Sequence, residues 1–143
     1  MLKGIDPLLG GELLHHLQDM GHGDVLALVD RNFPAASTAN RLVVLPGTSI
    51  DAAAKAIFSV FPVDTFVDPA AHRMGPVGEE QLELDIHQSF QAALDAAEHR
   101  TVTVEPLERT EFYERARRAY LTVQTTEDRP YGCFLVTKGV VTA

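Results

Sequence analysis

The tetrapeptide Gly21-His22-Gly23-Asp24 sets an imidazole on a sharp turn. The flanking glycines allow tight backbone turning and leave the ring little shielded by neighbours. An apolar helix pattern ends just before it and a strand-like run, Val25 to Val29, begins just after. Partial negative charge at a helix C-terminus favours a protonated imidazole nearby, which would suit a proton donor at neutral pH. A helix cap with a solvent-facing histidine fits the same four residues. Asp30 closes the strand-like run and is followed by Arg31-Asn32-Phe33-Pro34. Beyond the carboxyl end of a strand it is placed to accept hydrogen bonds from ligand hydroxyls, or to cap the exit with an Asx turn. Arg109, in Glu108-Arg109-Thr110-Glu111, offers a fork of donors to hydroxyls; an ion pair with Glu108 or Glu111 is the alternative. Tyr131-Gly132-Cys133 opens the last strand-like run. Its phenol can bond or stack on a ligand, or close the edge of the core. Cys133 reads as a small buried hydrophobe, and Tyr113 as helix packing.

These groups need elements to hold them. The first helix is expected from Gly11, with Leu13, Leu14, Leu17 and Met20 as its stripe and Gly21 just past its end. A second has Ser49 as N-cap, Asp51 in its first turn and a stripe of Ile50, Ala53, Ala54, Ile57 and Phe58, stopped by Pro62. A third is expected over Glu79 to Ala97, with Ile86, Phe90, Ala93, Leu94 and Ala97 inward. A fourth follows Thr110, with Phe112, Ala116 and Ala119 on one side. Strands are expected at Val25 to Val29, Leu42 to Leu45, Asp64 to Val67 and Thr101 to Val104. Tyr120 to Thr125 and Cys133 to Val136 bracket a polar, Pro-containing turn and read as an antiparallel pair. The near-continuous apolar run at 25–29 suits a strand buried on both faces. Alternating strands and helices predict an α/β layered single domain, with a mostly parallel central sheet and an antiparallel C-terminal strand pair.

The totals narrow the partners. A length of 143 residues and 45% apolar composition suffice for one domain with a real core. With a formal charge of −8 and no cluster of basic residues, neither nucleic acid nor an anionic membrane is expected. Arg115, Arg117 and Arg118 sit among Glu108, Glu111 and Glu114 as a mixed-charge helix face. One cysteine leaves no intrachain disulfide and no Cys-rich zinc site. His15, His16, His72, His87 and His99 lack ligand spacing, so no metal is expected. No phosphate loop, nucleophile elbow or cofactor fingerprint is present. The N-terminus lacks a signal-peptide core, and no apolar run approaches the roughly 20 residues that cross a bilayer. A cytoplasmic protein is expected.

Taken together, the pieces resemble the ribose pyranase/fucose mutarotase family along nearly the whole chain. The resemblance is carried by Met1-Leu2-Lys3-Gly4-Ile5 with Pro7-Leu8-Leu9, then Met20-Gly21-His22-Gly23-Asp24, then Asp30 with Asn32-Phe33-Pro34. Phe112-Tyr113-Glu114-Arg115-Ala116, Tyr131-Gly132 and Lys138-Gly139-Val140 continue it in order. The GHGD form, Arg109 and the FYERA run look like the fucose branch; ribose pyranases tend to have GHTD and a histidine near the position of Arg109. The resemblance implies a cofactor-free enzyme that interconverts sugar anomers, with His22 as proton donor. It implies sugar contacts from Asp30, Arg109 and the Tyr131, Gly132, Cys133 segment. It further implies a ring-based homo-oligomer, often decameric, with sites near subunit boundaries. Cys133 is a departure, since the family usually carries asparagine there, and a thiol replaces a side-chain amide poorly. A ribose pyranase, a non-catalytic monosaccharide-binding accessory protein and a purely structural oligomer subunit are the competing expectations.

Overall fold

The computed structural model describes residues 1–143. Six strands form one sheet in the order β2-β5-β1-β6-β3-β4: β1 Val25–Val29, β2 Leu42–Leu45, β3 Ala71–Met74, β4 Val104–Leu107, β5 Leu121–Thr125 and β6 Phe134–Thr137. Helices α1 Gly11–Asp19, α2 Ala35–Thr38, α3 Ile50–Phe58, α4 Asp85–Glu98 and α5 Arg109–Arg117 separate most of them. β1 and β2 run parallel to β5, and β3 parallel to β4; β6 alone runs the other way, between β1 and β3. The fold class expected from the sequence stands.

β1 has a side-chain set on each face. Leu26 and Leu28 join a core with Leu13 and Leu17 of α1, Ile57 of α3 and Phe90 of α4, while Ala27 and Val29 join a smaller core with Phe112 and Ala116 of α5. That two-sided burial is what the continuous apolar run predicts. Phe90 stacks on Phe134 with ring centroids 3.8 Å apart, tying α4 to β6. The Ser49 hydroxyl accepts from Ala52 N–H, as expected of an N-cap. No helix is long and apolar enough to cross a membrane.

Several boundaries differ, each for a local reason. β5 and β6 do run in opposite directions, but they do not pair: β1 lies between them. Asp64 to Val67 is not a strand. Only Val63 bridges, to Lys138, because the Asp64 carboxylate accepts Phe66 N–H and turns the chain away. The fourth strand falls at Val104–Leu107 rather than Thr101 to Val104; as a sheet edge it tolerates Pro106. α4 starts at Asp85, not Glu79, and the Arg73 guanidinium binds the carbonyls of Gln81 and Leu82 in the loop before it. α1 ends with Met20 in an extended conformation (ψ 133°), so Gly21 is not the left-handed terminator; Gly23, at φ 90°, is the left-handed glycine.

Candidate active site

His22 stands where the chain enters β1. Gly21 N–H donates to Asp24 Oδ2 at 2.7 Å, and Gly23 N–H donates to the Lys138 carbonyl at 2.9 Å, so the turn is braced against the end of β6. The helix-end charge of α1 is not available to the imidazole. Lys138 Nζ donates to the Leu17 carbonyl at 2.8 Å and also to the Met20 carbonyl, filling that position with its own ammonium. His22 is partnered instead by Asp64, whose Oδ1 lies 3.0 Å from Nε2. The Asp64 side chain is 3% exposed against 39% for His22. Burial pushes the Asp64 carboxyl up, but hydrogen bonds from Phe66 N–H and from His22 outweigh it and hold it below its ordinary value. Phe66 meets the imidazole edge-on at 4.9 Å, and is itself largely exposed.

The remaining expected site residues gather at the other end of β1. Asp30, Arg109, Tyr131 and Cys133 line a cleft of about 280 Å³ with Asn32 and Tyr113. Asp30 is buried, and its carboxylate organises the floor. Oδ1 accepts from Asn32 N–H (2.9 Å) and Phe33 N–H (3.1 Å), the Asx turn foreseen as its alternative role. Oδ2 accepts from Gly132 N–H (3.1 Å) and from the Cys133 thiol (3.5 Å). Burial, reinforced by the Asp30 charge, pushes the Cys133 thiol well up, so it remains a protonated donor. Gly132 is closely walled: a Cβ there would lie 3.2 Å from Ile86 Cγ1.

Arg109 is the first residue of α5, where a cation gains nothing from the helix dipole. The ion pair considered for it is absent. Glu108 caps the helix through Thr110 N–H and Glu111 N–H, and Glu111 pairs with Arg115 at 2.7 Å. Its guanidinium instead lies 4.8 Å from the centre of the Tyr113 ring, which stacks on Phe33. Tyr113, expected to be packing, therefore also walls the cleft. Tyr131 accepts Val77 N–H on its phenol oxygen at 3.2 Å, leaving its own proton free to donate.

The structure thus brings Asp30, Arg109, Tyr131, Gly132 and Cys133 together and leaves His22 apart. The five residues of β1 alone span about 16 Å. His22 lies on a separate groove with Met20, Pro62, Lys138 and Gly139. Within one chain, the cleft has hydroxyl-binding groups and no histidine; the His22 groove has the histidine and no such set.

The family described as the RbsD / FucU transport protein family matches residues 3–141. The chain belongs to that family. The L-fucose mutarotase of Haemophilus influenzae (strain 86-028NP) is 39% identical over 140 residues, covering 98% of this chain and 97% of that protein. FucU from Bifidobacterium longum superposes with a TM-score of 0.91 at 36% identity, covering 98% of this chain and 100% of its own. The fucose mutarotase from Streptococcus pneumoniae, solved in complex with L-fucose, gives a TM-score of 0.87 at 33% identity, covering 99% and 100%.

Within this family member, sequence reasoning missed Asp64, Lys138 and the cleft-lining role of Tyr113. Asp64 is 42 positions from His22 and carries no motif; an Asp in a strand-like run was the only signal. Lys138 reaches Leu17 of α1 from 121 positions away. No local pattern reports such contacts.

Proposed function

We propose that this chain is a sugar mutarotase, an isomerase that interconverts the α and β anomers of L-fucose or a closely related monosaccharide. We place its active site between two copies of the chain. The supporting observation is the division just described: sugar-binding groups at one end of β1, a carboxylate-held histidine at the other, with His22 open to a neighbour. His22 of one copy meets the Asp30, Arg109 and Tyr131 cleft of the next, in a ring-type homo-oligomer.

The chemistry follows from the groups present. Anomer exchange opens a cyclic hemiacetal: a proton reaches the ring oxygen, another leaves the anomeric hydroxyl, and the free aldehyde turns and recloses. Asp64 is ionised and can only accept, so the His22 nitrogen facing it, Nε2, carries hydrogen. In the imidazolium form the other nitrogen, Nδ1, gives its proton to the ring oxygen, leaving the Nε2–H tautomer, and takes it back on closure. Arg109 and Tyr131 hold the hydroxyls, and Asp30 accepts one at Oδ2, where its present partners are one amide and one weak thiol donor. Gly132 and Cys133 form the floor beneath the sugar. The anomeric proton passes to water, directly or through the Tyr131 hydroxyl. The chain's relatives named for L-fucose support the choice of sugar, and Arg109 supports it too.

Exchange spectroscopy on L-fucose, following magnetisation between α and β signals, tests the proposal. Wild-type protein accelerates exchange, and His22→Ala lowers the rate by about 10² to 10⁴, the usual worth of a general acid. Undiminished exchange in His22→Ala refutes the assigned role. D-ribose measured in parallel separates the pyranase reading, and tight sugar binding without exchange would favour an accessory protein.

A further inference from the structure

Tyr131 is one of two non-glycine residues with positive φ, at 61°, a backbone state that a bulky side chain rarely keeps unless it is held. His87, 2% exposed, lies behind it, with Nε2 3.1 Å from the Tyr131 carbonyl. The other ring nitrogen faces donors only: Leu84 N–H at 3.0 Å and Arg73 Nη1 at 3.3 Å. A nitrogen receiving two N–H groups carries no proton, so Nε2 must carry it and donate to Tyr131. One tautomer fits.

Arg73 reinforces that choice. It is 6% exposed and forms no ion pair; its guanidinium binds the carbonyls of Leu82 and Gln81 besides His87. Glu83 acts on its charge only from beyond ion-pair distance, and burying a cation so weakly paired is costly. Burial first, and the Arg73 charge second, push His87 down to about 4, so the ring is a neutral donor in neutral solution. His87 is also the third residue of α4 and accepts the N-cap amide of Leu84, a place usually held by Glu or Gln. A glutamate there could accept from Leu84 but would repel the Tyr131 carbonyl. Only a group with an acceptor on one side and a donor on the other serves both.

We infer that His87, locked in its Nε2–H form by Leu84 and Arg73, is a positioning residue for Tyr131. It holds the carbonyl of the strained residue, while Val77 N–H holds the phenol oxygen at the far end of the same side chain. Backbone and ring tip are thereby fixed independently, and the hydroxyl proton is aimed at the sugar cleft. The inference rests on Tyr131 binding the sugar, as proposed above.

Two substitutions divide the two jobs of the ring. His87→Asn keeps an acceptor for Leu84 and Arg73 but is too short to reach Tyr131. His87→Gln reaches the Tyr131 carbonyl with its amide N–H. His87→Asn gives up the bond to Tyr131 and His87→Gln the acceptor for Leu84 and Arg73, so a purely structural role lowers both melting temperatures and leaves the sugar KM of both alike. The positioning role instead raises KM for L-fucose about 5-fold in His87→Asn with kcat nearly unchanged, the worth of one neutral hydrogen bond. His87→Gln stays within about 2-fold of wild type. Equal KM values in the two variants overturn the inference. Tyr131→Phe is measured beside them: if its KM equals that of wild type, the reading of Tyr131 as a sugar contact fails instead. With KM raised in Tyr131→Phe, adding His87→Asn brings no further rise; an independent, full rise would contradict action through the phenol.

Discussion

The two ends of β1 are built on different principles. At its start, a half-exposed imidazole is held by one buried carboxylate, and Lys138 takes over the helix carbonyls that would otherwise compete for it. At its end, a buried carboxylate ties its own loop through Oδ1 to the Gly132-Cys133 turn through Oδ2, beside a guanidinium and a phenol. On the proposed reading one end moves protons and the other holds hydroxyls. A rigid strand separates them, so neither end can serve the other within a chain. On that reading each copy carries half of two sites, and the halves should fail in different ways.

Acid should separate them most strongly. His87 is neutral in the folded protein, with a value of about 4 against 6.5 when unfolded. Between those values the unfolded chain binds a proton that the folded chain refuses, so stability falls as pH drops from 6.5 towards 4, by on the order of 3 kcal/mol. The Asp64 carboxyl is also shifted down, which for an acid favours the charged form: its folded value lies below 3.8, so its contribution is present above pH 3.8 and is lost only as pH falls further. The cleft support therefore loosens before the His22 support. Thermal melts from pH 7.5 to 4 should show the decline, and His87→Gln should flatten it.

Asp64→Asn comes next in size. It removes the charge that fixes which His22 nitrogen carries hydrogen, and should lower kcat for anomer exchange roughly 100-fold with KM unchanged. A change in KM with kcat intact would move Asp64 out of the proton-transfer half. Arg109→Met should do the opposite: KM rises about 10-fold, the loss of one charge-assisted hydrogen bond, while kcat changes little. Saturation kinetics on both variants place each residue in its half.

Much of this was legible in the sequence, for identifiable reasons. β1 shows itself because a strand buried on both faces leaves no polar alternation to misread. α3 does so because Ser49 and the stripe Ile50, Ala53, Ala54 and Ile57 are local signals. For Asp30, Arg109 and Tyr131 the local signals leave a structural role open beside a binding one; the family resemblance is what groups them. What stayed hidden was pairing at long range. β1 slips between β5 and β6, although a polar turn joins those two in the chain. His22 was assigned a helix end that Lys138 occupies, because an ammonium arriving from the far end of the chain leaves no trace beside His22. His87, judged by metal spacing alone, showed none of its link to Tyr131; that link depends on α4 starting at Asp85, which the Arg73 loop contacts accompany.

The shared site is tested most directly by mixing two crippled proteins. His22→Ala keeps an intact cleft, and Arg109→Met keeps an intact proton donor. Dissociated together and reassembled, random neighbours should restore about a quarter of the wild-type sites, each joining an unaltered His22 to an unaltered Arg109. Measured well below KM, where Arg109→Met alone keeps only about a tenth of the wild-type rate, L-fucose exchange returning to about that level supports a site completed across copies. Exchange that never exceeds the average of the two separate variants would contradict it.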